Sequence, residues 1–146
     1  MSYFNEGNKL YNTKEYEKAI DYYIKSIENS ENEACSYYNA GVCYIKLKNF
    51  NNAISMLNKA LELQKDSKYY FNLGYCYAMQ ENTNKALINF NMAWALNNED
   101  TDCEKAIKLI TSKLCKKQKH IRMILHSDMF FHFKILLQYF LLYGPH

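Results

Sequence analysis

Thiols and imidazoles are the groups in this chain with the most chemistry to offer, and their spacing limits how much of it can be used. Cys43 and Cys76 each stand two residues after a glycine, Gly41 and Gly74, so a thiol recurs at one place in a pattern. A thiol becomes a candidate nucleophile when a base stands ready to take its proton, and no acid–base pair is placed to serve either one. Three of the four histidines, His120, His126 and His132, are six residues apart. On a helix, successive members of that set point about 120° away from each other and cannot share one metal ion. HExxH, CxxC, GxSxG and glycine-rich phosphate loops do not occur in the sequence, and each would carry a specific chemistry. No catalytic residue, metal or cofactor is therefore expected.

Charge narrows the partners. The net charge is +3, but residues 1–100 hold 10 Lys or Arg against 12 Asp or Glu, and residues 101–146 hold 8 against 3. A nucleic-acid binder needs a basic face over its folded body, and the first hundred residues are slightly acidic. No nucleic-acid partner is expected. The five cysteines, an odd number at scattered spacings, do not form a disulfide framework. The first residues lack a basic region followed by an apolar run. A reducing, cytoplasmic setting is the expectation.

The elements that position these groups repeat. Gly7, Gly41 and Gly74 recur at intervals of 34 and 33, each four residues after a tyrosine: Tyr3, Tyr37 and Tyr70. Twelve residues beyond each glycine stands Ala19, Ala53 or Ala86, and seven further stands Ser26, Ala60 or Ala93. Between those small residues lies a large one, Tyr23, Leu57 or Phe90. With only 4 Gly and 1 Pro in 146 residues, tight turns are too few for a sandwich or barrel. In the middle period, Tyr37, Gly41, Tyr44 and Ile45 fall on one face of a helix, and Ala53, Ile54, Leu57, Ala60 and Leu61 on one face of the next. Small columns let paired helices approach to about 8 Å, while Asn49 and Asn82 stand as N-caps of second helices. A lone hairpin cannot bury its apolar face, so neighbours must stack. Six helices are predicted, at 2–12, 15–29, 34–47, 49–64, 67–80 and 82–97.

At these columns the chain resembles the tetratricopeptide repeat family over residues 1–98. The resemblance implies an all-α, right-handed solenoid of three helix-turn-helix repeats, 1–33, 34–66 and 67–98. The family prefers a small buried residue two places after the glycine, which gives Cys43 and Cys76 a packing role. A seventh helix over 99–118, with Ala106, Ile107, Ile110 and Leu114 as its apolar stripe, would cap the last repeat. The resemblance also implies that the first helices line a concave groove that binds a protein or peptide. On that pattern the groove residues are Asn5, Asn8, Asn12, Tyr38, Asn39, Lys46, Lys68, Phe71, Asn72 and Tyr75. Amides there can pair with the backbone of an extended peptide, and the rings offer flat apolar contact. One sub-class of the family clamps a C-terminal carboxylate. Asn8, Asn39 and Lys68 match its signature, but Phe4 and Asn72 stand where two of its cations belong, removing most of the charge-assisted bonding.

Residues 119–146 depart from this order. A basic stretch containing Lys113, Lys116, Lys117, Lys119 and Arg122 precedes an apolar, aromatic run over 129–143. As a helix that run spans about 22 Å, short of the ~30 Å hydrocarbon core, with Lys134 in its middle, so a transmembrane anchor is disfavoured. Three readings stay open: an interfacial helix on lipid, burial against the solenoid or a second copy, and an end that is no part of the fold. The leading function is a protein-binding adaptor or scaffold. The alternative is a membrane-associated assembly factor whose tail contacts lipid or self-associates.

Overall fold

A computed structural model describes the backbone of residues 2–143 and the side chains of residues 2–125. It is all-helical among the described residues: α1 (Tyr3–Asn12), α2 (Tyr16–Glu28), α3 (Glu33–Lys46), α4 (Phe50–Leu63), α5 (Ser67–Met79), α6 (Thr83–Leu96) and α7 (Thr101–Tyr143). α1 with α2, α3 with α4 and α5 with α6 form three hairpins, and α2 meets α3 as α4 meets α5. The chain is thus the predicted solenoid of three helix-turn-helix repeats.

The columns form the core. Ala19, Ala53, Ala86, Leu57 and Ala60 are completely buried, and Tyr23, Phe90 and Ala93 nearly so. Ser26, where the other repeats have alanine, is also fully buried. Its hydroxyl donates to the Glu31 carbonyl at 2.6 Å and accepts from the Ser36 hydroxyl at 2.9 Å. A buried hydroxyl without partners costs about 1–3 kcal/mol, so these two bonds are what make serine tolerable in an alanine column.

In α3 the fully buried residues are Ser36, Ala40, Gly41 and Cys43, whereas Tyr37, Tyr44 and Ile45 are only half-buried. The buried stripe is therefore rotated by one residue from the one that periodicity indicates. α3 packs against both α2 and α4, and a helix between two neighbours places its smallest residues where both press closest.

Asn49 and Asn82 cap α4 and α6, accepting from the backbone N–H of Asn52 and Lys85. The turns inside the hairpins share one geometry. Lys14, Lys48 and Glu81 all have positive φ, at 64°, 58° and 59°. After each, a backbone N–H reaches back to the carbonyl five residues earlier: Glu15 to Leu10, Asn49 to Tyr44, Asn82 to Tyr77. This is a helix-ending motif in which glycine is the usual left-handed residue. Lys48 is exposed, so its strain is not offset by packing. Lys48→Gly should raise stability by about 1 kcal/mol, seen as an increase of a few degrees in Tm by circular dichroism.

The N-terminus of α1 has an unusual partner. The Ser2 hydroxyl accepts from the Asn5 N–H and donates to the Glu31 carboxylate, which also accepts from the N–H groups of Tyr3 at 3.0 Å and Phe4 at 3.4 Å. The link after α2 thereby caps the start of α1 with a negative charge, where the helix dipole favours one. The Ser2 hydroxyl, followed by those backbone donors, holds the Glu31 pKa below its ordinary value of 4.5. A depressed folded pKa gives stability that is present above the ordinary value and lost as pH falls through the lower folded one. The hydrogen-exchange protection factors of the α1 amides should therefore fall selectively as pH drops below about 4.5, relative to those of α4. In Glu31→Gln that difference should disappear.

Beyond the repeats, α7 begins at Thr101 with the Asp100 carboxylate accepting from the N–H groups of Asp102 and Cys103. Cys103 is buried, and its thiol meets the Phe90 carbonyl of α6 at 3.0 Å, which seats this end of α7 on the last repeat. The sequence reading ends this helix near 118, but it continues to Tyr143. The reason is plain in the chain: no glycine or proline falls between 101 and 143, so nothing interrupts the helical bonding. The molecule divides into two units between Lys108 and Leu109, inside this helix. Among the described residues no helix is long and apolar enough to cross a membrane. The apolar run at 129–143 and the side chains of His126 and His132 lie outside the described side chains. So do the readings of burial, self-association and lipid contact that rest on that run.

Candidate functional site

Four of the expected groove residues come together. Asn8 and Asn12 of α1 and Tyr38 and Asn39 of α3 line one open concavity of about 480 Å³, with Tyr11, Val42 and the inner helix residue Tyr23. Helical spacing explains the set. Asn8, Tyr11 and Asn12 lie at i, i+3, i+4 on α1, as Tyr38 and Val42 lie four apart on α3, so each helix presents one face to the space between them.

Asn8 is its polar centre. Its side-chain oxygen accepts from the Tyr23 hydroxyl at 2.8 Å and from the Asn39 amide at 3.1 Å. The ring of Tyr23 fills the core under Gly7 while its hydroxyl reaches the floor of the concavity. Burial pushes the Tyr23 phenol far above its ordinary value, so it acts as a neutral donor. A second link runs from the third repeat, where the Asn72 amide donates to the Tyr38 hydroxyl at 3.2 Å and to the Lys68 carbonyl at 2.9 Å. Burial raises the Tyr38 phenol as well, against the opposing effect of the Asn72 bond. Tyr38 is stacked on Tyr69 of α5 at 4.7 Å and 26°.

The other expected residues do not line this concavity. Asn5, Lys46 and Lys68 are exposed on the first helices. Phe71 is half-buried, its ring 5.4 Å from Phe90 of α6. Tyr75 is partly exposed, with its ring edge-on to Phe50 of α4 at 6.4 Å. Phe4, in place of a cation, packs at 6.1 Å from Tyr23. Tyr11, Tyr23 and Val42 also line the concavity and are not among the groove residues that the repeat pattern implies. A tyrosine in a core column could have signalled Tyr23, because its hydroxyl must find a partner at the edge of the core.

The two candidate thiols are fully buried, and burial pushes Cys43 and Cys76 each up to about 12. A thiol in that state stays protonated near neutral pH and is a poor nucleophile. Cys43, Cys76 and Cys103 fill space between helices, whereas Cys35 and Cys115 are exposed; all five are free. Among the described residues no group of three His, Cys, Asp or Glu side chains is placed to hold a metal ion.

The Asn8 hub yields a direct test. Asn8→Ala should destabilise the chain by about 1–3 kcal/mol, because the buried Tyr23 hydroxyl loses its acceptor. Tyr23→Phe in the Asn8→Ala background should then cost much less than the same change in the native chain. Urea denaturation of the four members of this cycle measures the coupling.

Comparison with known proteins follows the same columns. A family model of the tetratricopeptide repeat matches residues 2–66 and 32–99. Dynein axonemal assembly factor 4 of Rattus norvegicus is 42% identical over 59 residues, covering 40% of this chain and 14% of that protein. Heat shock protein STI1 of Saccharomyces cerevisiae is 36% identical over 62 residues, covering 42% of this chain and 10% of that one. The chain thus spans roughly a tenth to a seventh of the length of these relatives. Among solved structures, YrrB, described as a TPR protein with an unusual peptide-binding site, superposes with a TM-score of 0.70 at 28% identity. That match covers 76% of this chain and 58% of YrrB.

Proposed function

Because the chain belongs to the tetratricopeptide repeat family, we propose that it is a protein-binding adaptor, co-chaperone-like in role, which holds an extended peptide segment in the groove between α1, α3 and α5. The observation that carries this reading is the concavity itself: two amides and a phenol, Asn12, Asn39 and Tyr38, around an open space of about 480 Å³. Asn12 is exposed beside it and has both a donor and an acceptor for a peptide backbone. The similarity to a structure with a peptide-binding site, and to an assembly factor and a heat shock protein, supports the same class. No catalytic role accompanies it, and five free thiols fit a reducing, cytoplasmic setting.

The geometry favours a main-chain or apolar ligand over a clamped C-terminal carboxylate. Asn8 and Asn39 are bonded to each other, and Asn72 is bonded to Tyr38 and Lys68. Phe4 packs on Tyr23. Lys68 alone remains as an exposed cation among the clamp positions, and one point charge lacks the paired, charge-assisted bonds such capture needs.

A random-peptide library displayed on phage and panned on the full chain should yield ligands of roughly micromolar affinity, about −8 kcal/mol. Asn12→Ala with Lys68→Ala should weaken the selected peptides about tenfold, since about 1.4 kcal/mol of lost contact is one decade, without lowering Tm. Amidating the peptide C-terminus should leave affinity unchanged. Peptides whose binding is indifferent to both substitutions would place the site elsewhere; a strong loss on amidation would restore carboxylate capture.

A further inference from the structure

One stretch of α7 stands apart in composition. Residues 105–127 carry seven Lys or Arg and no Asp or Glu. Lys105 and Lys108 are paired on their own turns with Asp102 and Glu104, at 3.0 and 2.5 Å. Lys113, Lys116, Lys117, Lys119 and Arg122 are exposed, and none is paired with an acid among the described residues. The same stretch exposes apolar side chains: Ile121 is 47% exposed, Met123 65%, Ile124 46% and Leu125 63%.

Two of these apolar residues share one face of the helix, while Met123 and Ile124 fall among the cations. At about 100° per residue, Ile121 and Leu125 continue the apolar stripe of Ile110 and Leu114. Exposure rises along it, from Ile110 at 6% to Leu125 at 63%. Lys117 stands on one border of this stripe and Arg122 on the other. Contiguous exposed apolar surface rimmed by charge marks an interaction site, and cations on both borders can carry their charged ends away from whatever the stripe enters.

We infer that residues 113–125 of α7 are a docking surface for an anionic lipid bilayer, lying in the plane of its interface. Unpaired cations match phosphate headgroups, and Ile121 and Leu125 match the acyl boundary beneath them. A nucleic-acid backbone would satisfy the cations but leave those apolar side chains in water. A second copy meeting this stripe would bring the bordering Lys117 and Arg122 of both helices to the contact, where like charges oppose association. The lipid interface is the one occupant that suits both sets. This inference is independent of the groove.

The test uses the full chain and two kinds of vesicle, pure phosphatidylcholine and phosphatidylcholine mixed with phosphatidylserine. The protein should co-sediment with the mixed vesicles and not with the pure ones, and the bound fraction should fall as salt rises. Each basic residue near an anionic surface contributes about a fivefold factor, so Lys117→Gln with Arg122→Gln should lower partitioning by roughly 25-fold. Ile121→Ser with Leu125→Ser should lower it about tenfold or more, although the charge is unchanged. All four side chains are exposed, and circular dichroism would verify that each variant keeps its helix content. Equal sedimentation of the native chain and the Ile121→Ser, Leu125→Ser variant would overturn the proposal, reducing the contact to non-specific charge. Binding to a random-sequence RNA without binding to vesicles would overturn it too. So would a dimer in the ultracentrifuge, lost in that variant, with no vesicle binding.

Discussion

Each hairpin closes on a contact between something large and something missing. The second helix of a repeat places a bulky side chain against the one residue of the first helix that has no Cβ. A methyl group on Gly7 would lie 2.7 Å from the Tyr23 ring, on Gly41 3.0 Å from Leu57, and on Gly74 2.9 Å from Phe90. A side chain at Gly7 or Gly74 would force Tyr23 or Phe90 to shift, and one at Gly41 would crowd Leu57, so glycine allows the two helices their close spacing. The alanine and serine columns on either side then fall into full burial, and Cys43 and Cys76 fill the next layer inward. The thiols that might have suggested an enzyme are consequences of this packing.

The groove rests on the same contact. Tyr23 lies under Gly7 because the glycine leaves room, and its length then delivers a hydroxyl to Asn8. In the other two repeats the equivalent position is Leu57 or Phe90, which ends in carbon. The polar concavity is accordingly confined to the first two repeats, while the third meets it through Asn72 and the stacked Tyr69. The amides of Asn8, Asn39 and Asn72 hold neighbouring repeats together, so much of the groove's polarity is spent inside the protein. A ligand meets a neutral surface with few free charges. This is the physical reason that resemblance to the carboxylate-binding sub-class stops at a few letters.

What could be read from the chain alone divides along the same lines. The columns, the helix order and the two asparagine caps were legible because each depends on residues close in sequence or on the repeat period. The buried stripe of α3 was displaced by one residue because two neighbours press on that helix, and periodicity within it cannot weigh them. Glu31 capping α1 across 28 or 29 residues leaves no local signal at either end. Tyr11 and Val42 belong to the site through spacing that was visible, but their types did not advertise binding. Phe71 and Tyr75 stand at groove positions of the repeat pattern, and their rings also meet aromatic rings of second helices. The chain's character changes after 118, but a helix stops only where its bonding is broken, and here that is beyond 118.

The helices pack chiefly on their immediate neighbours in sequence, and the links between alternate helices, α3 with α5 and the Asn8–Asn39 bond of α1 with α3, are slighter. Such wiring has a kinetic meaning. Contacts between nearby residues close small loops, whose entropy loss is modest, and chains of this kind fold in microseconds to milliseconds. Any of the three hairpins can serve as a nucleus from which order spreads along a line. During synthesis, the first repeat can therefore assemble before the third has been made.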